Sequence, residues 1–149
     1  MDGAVGENEG YPAEAEWPSD AMRCTTQHNS AQPHLASMKI ATIAGTRPEW
    51  IRLSKTIPAL DDLLGNDHLL VHSGQNADPG LDTVFFEEFG FRSPNLRFES
   101  GGVSFANQLA ISLPALEGFL SLERPDRVLF LGDTNTSLAT AIVAARLGV

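Results

Sequence analysis

The alternation of apolar and polar residues divides the chain near residue 38. Residues 1–37 mix Gly, Pro, Ala, Glu, Ser, Asn and Gln with no sustained period of 2 or 3.6, so they gather too little apolar surface to offset the entropy of ordering. A disordered extension is expected there, with Met38 as an alternative start. From Lys39 the pattern changes, and Lys39–Ala44 is a short, largely apolar, β-branched run of the kind buried on both faces of a parallel sheet. Gly45 breaks this first strand. Thr46-Arg47-Pro48-Glu49 then places Thr and Glu at the capping-box spacing, with Pro48 in a first turn where its missing N–H costs nothing. Apolar residues at Ile51, Leu53, Ile57, Leu60, Leu63 and Leu64 predict one continuous helix, kinked at Pro58 and stopped near Gly65-Asn66.

The same alternation continues to the C-terminus. Leu69–His72 reads as a second strand that runs into Ser73–Gly80, turn chemistry nearly throughout. Leu81–Phe89 has helical spacing and Gly90 as its stop, and Leu96–Phe98 is a weak third strand. A long helical pattern from about Ser104 to Leu122 contains Pro114, where a kink is expected, and is ended by Arg124-Pro125-Asp126. Arg127–Leu131 is the fourth strand and Thr134–Leu147 the last helix. Strand and helix therefore alternate, which predicts an α/β fold: a parallel, Rossmann-like sheet with helices on both faces.

Composition narrows the function. Residues 1–37 hold six acids against one base and residues 38–149 hold 13 against nine, so neither half offers the clustered basic face that nucleic acid or an anionic membrane requires. Neither is expected as a partner. The single cysteine, Cys24, excludes an internal disulfide framework and a cysteine-based zinc site. No apolar run approaches the roughly 18 residues of a membrane span, and the acidic N-terminus lacks the order of a signal peptide, so a cytoplasmic protein is expected.

In α/β proteins ligands bind beyond the carboxyl ends of the strands, which directs attention to the turns. The fourth strand ends in Leu131-Gly132-Asp133 and passes at once into Thr134-Asn135-Thr136-Ser137, delivering an acid to the mouth of a helix. Asp133 is read either as a substrate-facing acid or as the helix N-cap. The first turn brings Arg47 and free backbone N–H groups to a helix N-terminus, a place that favours phosphate, or else holds an ordinary capped helix with a solvated Arg. It lacks Gly-x-Gly-x-x-Gly, and the second strand ends in His72-Ser73 where a dinucleotide binder would present an acid. There is no P-loop and no Gly-x-Ser-x-Gly elbow. His68 and His72 share one face of the second strand, but no acid or cysteine completes a metal-ligand spacing with them, so no metal is expected.

Gly45–Glu49, Ser73–Asn76, Phe85–Gly90 and Pro125-Asp126 followed by Leu131–Thr136 occur in that order, and the set resembles the N-terminal domain of the non-hydrolysing UDP-N-acetylglucosamine 2-epimerases. The resemblance covers residues 38–149 and none of residues 1–37. It implies half of a two-domain GT-B-type fold, shared with one large class of glycosyltransferases, with a UDP-sugar held in the cleft between the domains. It further implies interconversion of UDP-N-acetylglucosamine and UDP-N-acetylmannosamine without metal or redox cofactor, and a homodimer when full length. Arg47 matches a substrate-contacting Arg of the family and Asp133 the functional, catalytic Asp of its Gly-Asp-Thr motif. Arg52 stands where a substrate-binding Lys is common. Gln75 and Asn76 match a loop that in some members contacts a second, regulatory UDP-sugar, although Asn76 replaces the usual His. Gln75-Asn76 with Gly-Asp-Thr-Asn also resembles members acting on other UDP-2-acetamido sugars, including precursors in the UDP-N-acetyl-L-fucosamine pathway. The family's catalytic His and its UDP-binding domain would follow Val149, so the chain is expected to be a fragment, inactive alone. The rival readings are a glycosyltransferase acceptor domain and a non-catalytic binding fragment.

Overall fold

The structure, a computed structural model, describes residues 38–76 and 86–149. The extension expected over residues 1–37, and the parts of the second turn and following helix in residues 77–85, lie outside the described residues. Four strands form one parallel sheet: β1 (Ile40–Ala44), β2 (His68–His72), β3 (Leu96–Arg97) and β4 (Arg127–Phe130), in the order β3-β2-β1-β4. The register pairs Ile40 with both His68 and Arg127, so β1, β2 and β4 start level. Their turns consequently emerge together at the opposite end. At the entering end the Lys39 N–H donates to Asp126 Oδ2 (2.8 Å) and the Lys39 ammonium pairs with Glu123 (2.7 Å), fixing the start of β4 beside that of β1.

Between β1 and β2 lie α1 (Arg47–Leu53) and α2 (Thr56–Leu64), where a single kinked helix was expected. The chain breaks at Ser54-Lys55 and restarts at Thr56, which puts Pro58 in the first turn of α2. A proline there removes no intrahelical hydrogen bond, so the restart takes the place of the kink. Residues 86–89 are helical, and the Phe91 N–H closes on the Phe86 carbonyl (2.9 Å) around Gly90. Then come α3 (Phe105–Glu123) and, after β4, α4 (Asn135–Leu147). Pro114 lies within α3, and Arg124 ends that helix in the left-handed region with its N–H on the Leu120 carbonyl (2.9 Å).

The two faces of the sheet carry separate cores. Ala41, Ile43, Leu69 and Val71 face Leu116 and Leu120 of α3 and Ala139 and Val143 of α4. Ala44 and Leu70 face Trp50 and Leu53 of α1, Ile57 of α2, and Phe91. Period-2 alternation therefore feeds both layers with apolar side chains, as a strand covered on both faces requires. Ile57 and Leu70 are fully buried and each contributes about 1.5–3 kcal/mol by leaving water. Among the described residues no helix is long and apolar enough to cross a membrane.

Candidate functional site

β1 continues on one side to β2 and on the other to β4, so the strand order reverses about β1 and opens a crevice between the β1 and β4 turns. A cavity of about 670 Å³ lies there, lined by Thr46, Pro48, Glu49, Arg52, Leu131, Gly132, Asp133 and Thr134. Two sequence-predicted residues, Arg52 from the last turn of α1 and Asp133 from the β4 turn, thus line one space. Both are exposed. Arg47 opens α1 and is also exposed, but it is not among the lining residues.

The N-cap of α4 is Thr134, whose hydroxyl accepts the Ser137 N–H at 3.1 Å. Asp133 is therefore not the cap, and its carboxylate makes no hydrogen bond or ion pair among the described residues. The Ser137 hydroxyl in turn donates to the Leu131 carbonyl, closing the loop beneath Gly132 and Asp133.

At the β1 turn the N–H groups of Gly45, Thr46, Glu49 and Trp50 are already taken. Glu49 Oε2 accepts from the Gly45 N–H (2.9 Å), the Thr46 N–H (2.8 Å) and the Thr46 hydroxyl (2.9 Å). The Glu49 and Trp50 N–H groups bond the Thr46 carbonyl at 3.1 and 3.2 Å. The Glu49 carboxylate thus takes N–H groups a phosphate was expected to favour, so the cations that α1 offers are the side chains of Arg47 at its start and Arg52 in its last turn. The second Glu49 oxygen, Oε1, accepts the Thr134 hydroxyl across the crevice at 3.1 Å.

Gln75 joins the same end of the sheet. Its Oε1 accepts both the N–H (3.0 Å) and the hydroxyl (2.7 Å) of Thr136, so it satisfies a donor in the first turn of α4 from outside the helix. Because the Thr136 hydroxyl donates to Gln75, the Ser73 hydroxyl at 2.7 Å donates to Thr136. The Asn76 N–H bonds the Gly45 carbonyl (3.2 Å). Gln75 and Asn76 are therefore built into the junction of the three turns and line no part of the cavity beside Asp133.

His68 and His72 do share a face, and each is tied down. His68 Nδ1 lies 2.7 Å from Asp61 Oδ1 and Nε2 lies 2.9 Å from the Thr42 hydroxyl, while His72 Nδ1 accepts the Gly74 N–H (2.9 Å) and its ring packs on Trp50. Burial lowers the His68 pKa, against the opposing hydrogen bond and charge of Asp61 and aided by the charge of Arg92.

Glu49, Thr134, Thr136 and Ser73 were not singled out as a site by the sequence. The Thr46–Glu49 spacing reads as a helix cap, and the capping box is present, with the Glu49 carboxylate on the Thr46 N–H. The long-range arm of Glu49 depends on β1 and β4 being neighbours, which no local pattern specifies.

A family model described as UDP-N-acetylglucosamine 2-epimerase matches residues 59–149. A UDP-N-acetylglucosamine 2-epimerase of Methanococcus maripaludis is 39% identical over 111 residues, which cover 74% of this chain and 30% of that protein. A UDP-2,3-diacetamido-2,3-dideoxy-D-glucuronate 2-epimerase of Pseudomonas aeruginosa is 35% identical over 112 residues, 75% of this chain and 32% of that one. The crystal structure of Methanocaldococcus jannaschii UDP-GlcNAc 2-epimerase in complex with UDP-GlcNAc and UDP superimposes with a TM-score of 0.69 at 39% identity, over 74% of this chain and 30% of that chain. The chain thus spans about 30% of the length of these relatives.

Proposed function

We propose, since this chain belongs to the UDP-N-acetylglucosamine 2-epimerase family, that it forms one wall of the active site of a UDP-sugar 2-epimerase. The observation that carries this reading is the crevice at the strand-order reversal, where Arg52 and the carboxylate of Asp133, unpartnered among the described residues, line one cavity. The activity so read is that of the full gene product, with this chain supplying the cation-bearing β1 turn and the acid-bearing β4 turn.

The chemistry follows from the substrate. Inverting C2 of a UDP-2-acetamido sugar requires breaking a C–H bond of low acidity. Loss of the C2 proton to a base, with departure of UDP carrying the C1–O electron pair, leaves a 2-acetamidoglucal with a C1–C2 double bond. Re-addition of UDP at C1 with protonation of C2 on the opposite face restores the sugar nucleotide as its C2 epimer. There is no net oxidation, so no redox partner enters the balance. A diphosphate that leaves gains negative charge, and the side chains of Arg47 and Arg52 supply the matching cations. Arg52 offers a planar fork suited to paired phosphate oxygens. Asp133 serves the sugar end, where a carboxylate can hold or move a proton. UDP-N-acetylglucosamine is the substrate read first, and the 35% identity to an enzyme named for a diacetamido sugar makes other UDP-2-acetamido sugars the alternative.

The test is isotope exchange by the full gene product in D₂O, with UDP-N-acetylglucosamine and then other UDP-2-acetamido sugars. Solvent deuterium is expected at C2, detected by loss of the C2 proton signal. Asp133→Asn is expected to lower turnover at least about 100-fold with an unchanged melting temperature, in the range that loss of a proton-transfer group produces. No exchange with any of these sugars overturns the reading, and a loss matched by unfolding removes Asp133 from the chemistry.

A further inference from the structure

The most unusual group at the site is one that the proposed chemistry does not use. Glu49 is only 3% exposed, yet it borders the crevice. A buried carboxylate is costly unless its oxygens are hydrogen-bonded, and Glu49 accepts four hydrogen bonds. Three come from Gly45 and Thr46, its own turn, and suffice to start α1. The fourth comes from Thr134, 85 residues away, and contributes nothing to that helix.

We infer, resting on the proposed epimerase reading, that Glu49 is a positioning residue that sets the distance between the arginine-bearing turn and Asp133. The link is short and made of firm parts. Thr134 is covalently next to Asp133, and its hydroxyl both donates to Glu49 and accepts the Ser137 N–H that anchors α4. One carboxylate is thereby clamped to the β1 turn by one oxygen and to the β4 turn by the other. Glu49 is not the base for the reaction, because both oxygens are engaged and sheltered from solvent. A carboxylate suits this place, since each of its oxygens accepts and the bonds on both sides are charge-assisted. In Glu49→Gln an amide oxygen left toward Gly45 and Thr46 turns the NH₂ toward Thr134, whose hydroxyl must then accept and send its own hydrogen to Ser137 Oγ (3.0 Å), so the charge-assisted bridge becomes a weaker neutral one.

The experiment is a double-mutant cycle on the full gene product, scored by kcat and KM for C2 deuterium exchange. Glu49→Gln is expected to lower kcat about 10- to 100-fold, the scale on which small misplacements act, while KM changes less than about threefold. In an Asp133→Asn background the same substitution is expected to cost less than about twofold further, because Glu49 acts through the group already removed. Losses that multiply independently, or Glu49→Gln with undiminished kcat in an active parent, overturn this inference alone. A parent with no exchange overturns the epimerase reading and the inference together. Should Glu49→Gln not fold, Thr134→Asp decides the matter from the other side. Asp retains an N-cap acceptor for Ser137 but sets a carboxylate against Glu49, so kcat should fall at least as far with the protein still folded. Undiminished kcat in that variant equally overturns the inference.

Discussion

At the scale of single residues, the site depends on one absent side chain. A Cβ on Gly45 would lie 1.7 Å from the Ser73 hydroxyl, 3.0 Å from Ser73 Cβ and 3.1 Å from the Thr136 hydroxyl. Glycine lets the end of β1 come into contact with the hydroxyls that join the β2 and β4 turns. Gly45→Ala is expected to destabilise the chain by about 2–3 kcal/mol, as overpacking a rigid junction does, read as a lower urea midpoint at unchanged slope. Ser73→Ala in the same chain should return part of that loss, since it removes the nearest atom. A glycine after an apolar run is visible in the sequence, but there it reads only as a strand stop. Its contact partners belong to two other turns and are legible only once those turns are adjacent. Asp133 was legible for the opposite reason. An acid directly after a buried strand is a local pattern, and the question left open, whether it caps the helix, is settled by Thr134 taking that role.

At the scale of elements, the strands were the most readable part. Runs such as Ile40–Ala44 and Arg127–Phe130 carry their apolar residues close together, so the expected and observed limits differ by one residue. The first helix was read less well, because apolar residues on both sides of Ser54-Lys55 keep helical spacing across the break. A hydrophobic period reports which face is buried and is blind to a short break that preserves that face. Pro58 was the informative residue, and it marks a helix beginning rather than a bend. The start of α4 shows an element completed by another part of the chain. Thr134 satisfies the Ser137 N–H and Gln75 satisfies that of Thr136, which is 1% exposed. Gln75→Ala should therefore destabilise the chain by about 1–2 kcal/mol through a buried N–H left without its acceptor. Amide hydrogen exchange should locate the loss, with faster exchange at Thr136 and unchanged protection within α3. Unchanged protection at Thr136 would mean that water replaces Gln75 without cost.

At the scale of the whole molecule, strand alternation led directly to a parallel sheet, while the order β3-β2-β1-β4 with its crevice came from the fold. The two ends of this sheet do different work. The exit end gathers the turns with Arg52, Asp133 and Gln75, and the entry end of β2 carries a buried titratable cluster. There His68, 1% exposed, bonds Thr42 of β1 through Nε2 and Asp61 of α2 through Nδ1. Arg92 reaches both the Asp61 carboxylate (2.9 Å) and the His68 carbonyl (2.6 Å), and also Asn95 (2.8 Å). The neutral ring satisfies the geometry with Nδ1–H donating to Asp61 and Nε2 accepting from Thr42. Protonation would turn Nε2 into a donor and place a cation in the core near Arg92, with only Asp61 to offset it. Burial accordingly holds the folded pKa below its ordinary value of 6.5. The unfolded chain then binds the His68 proton more readily than the folded one, so stability rises with pH across that window. The contribution is complete above about pH 6.5 and is lost as pH falls from there toward the lowered folded pKa. One such proton changes unfolding free energy by at most about 1.4 kcal/mol per pH unit. Urea midpoints between pH 7.5 and 5 should fall with acidification, and His68→Gln should flatten that slope even where its stability at neutral pH is lower. A slope unchanged by the substitution would assign the acid sensitivity to other groups.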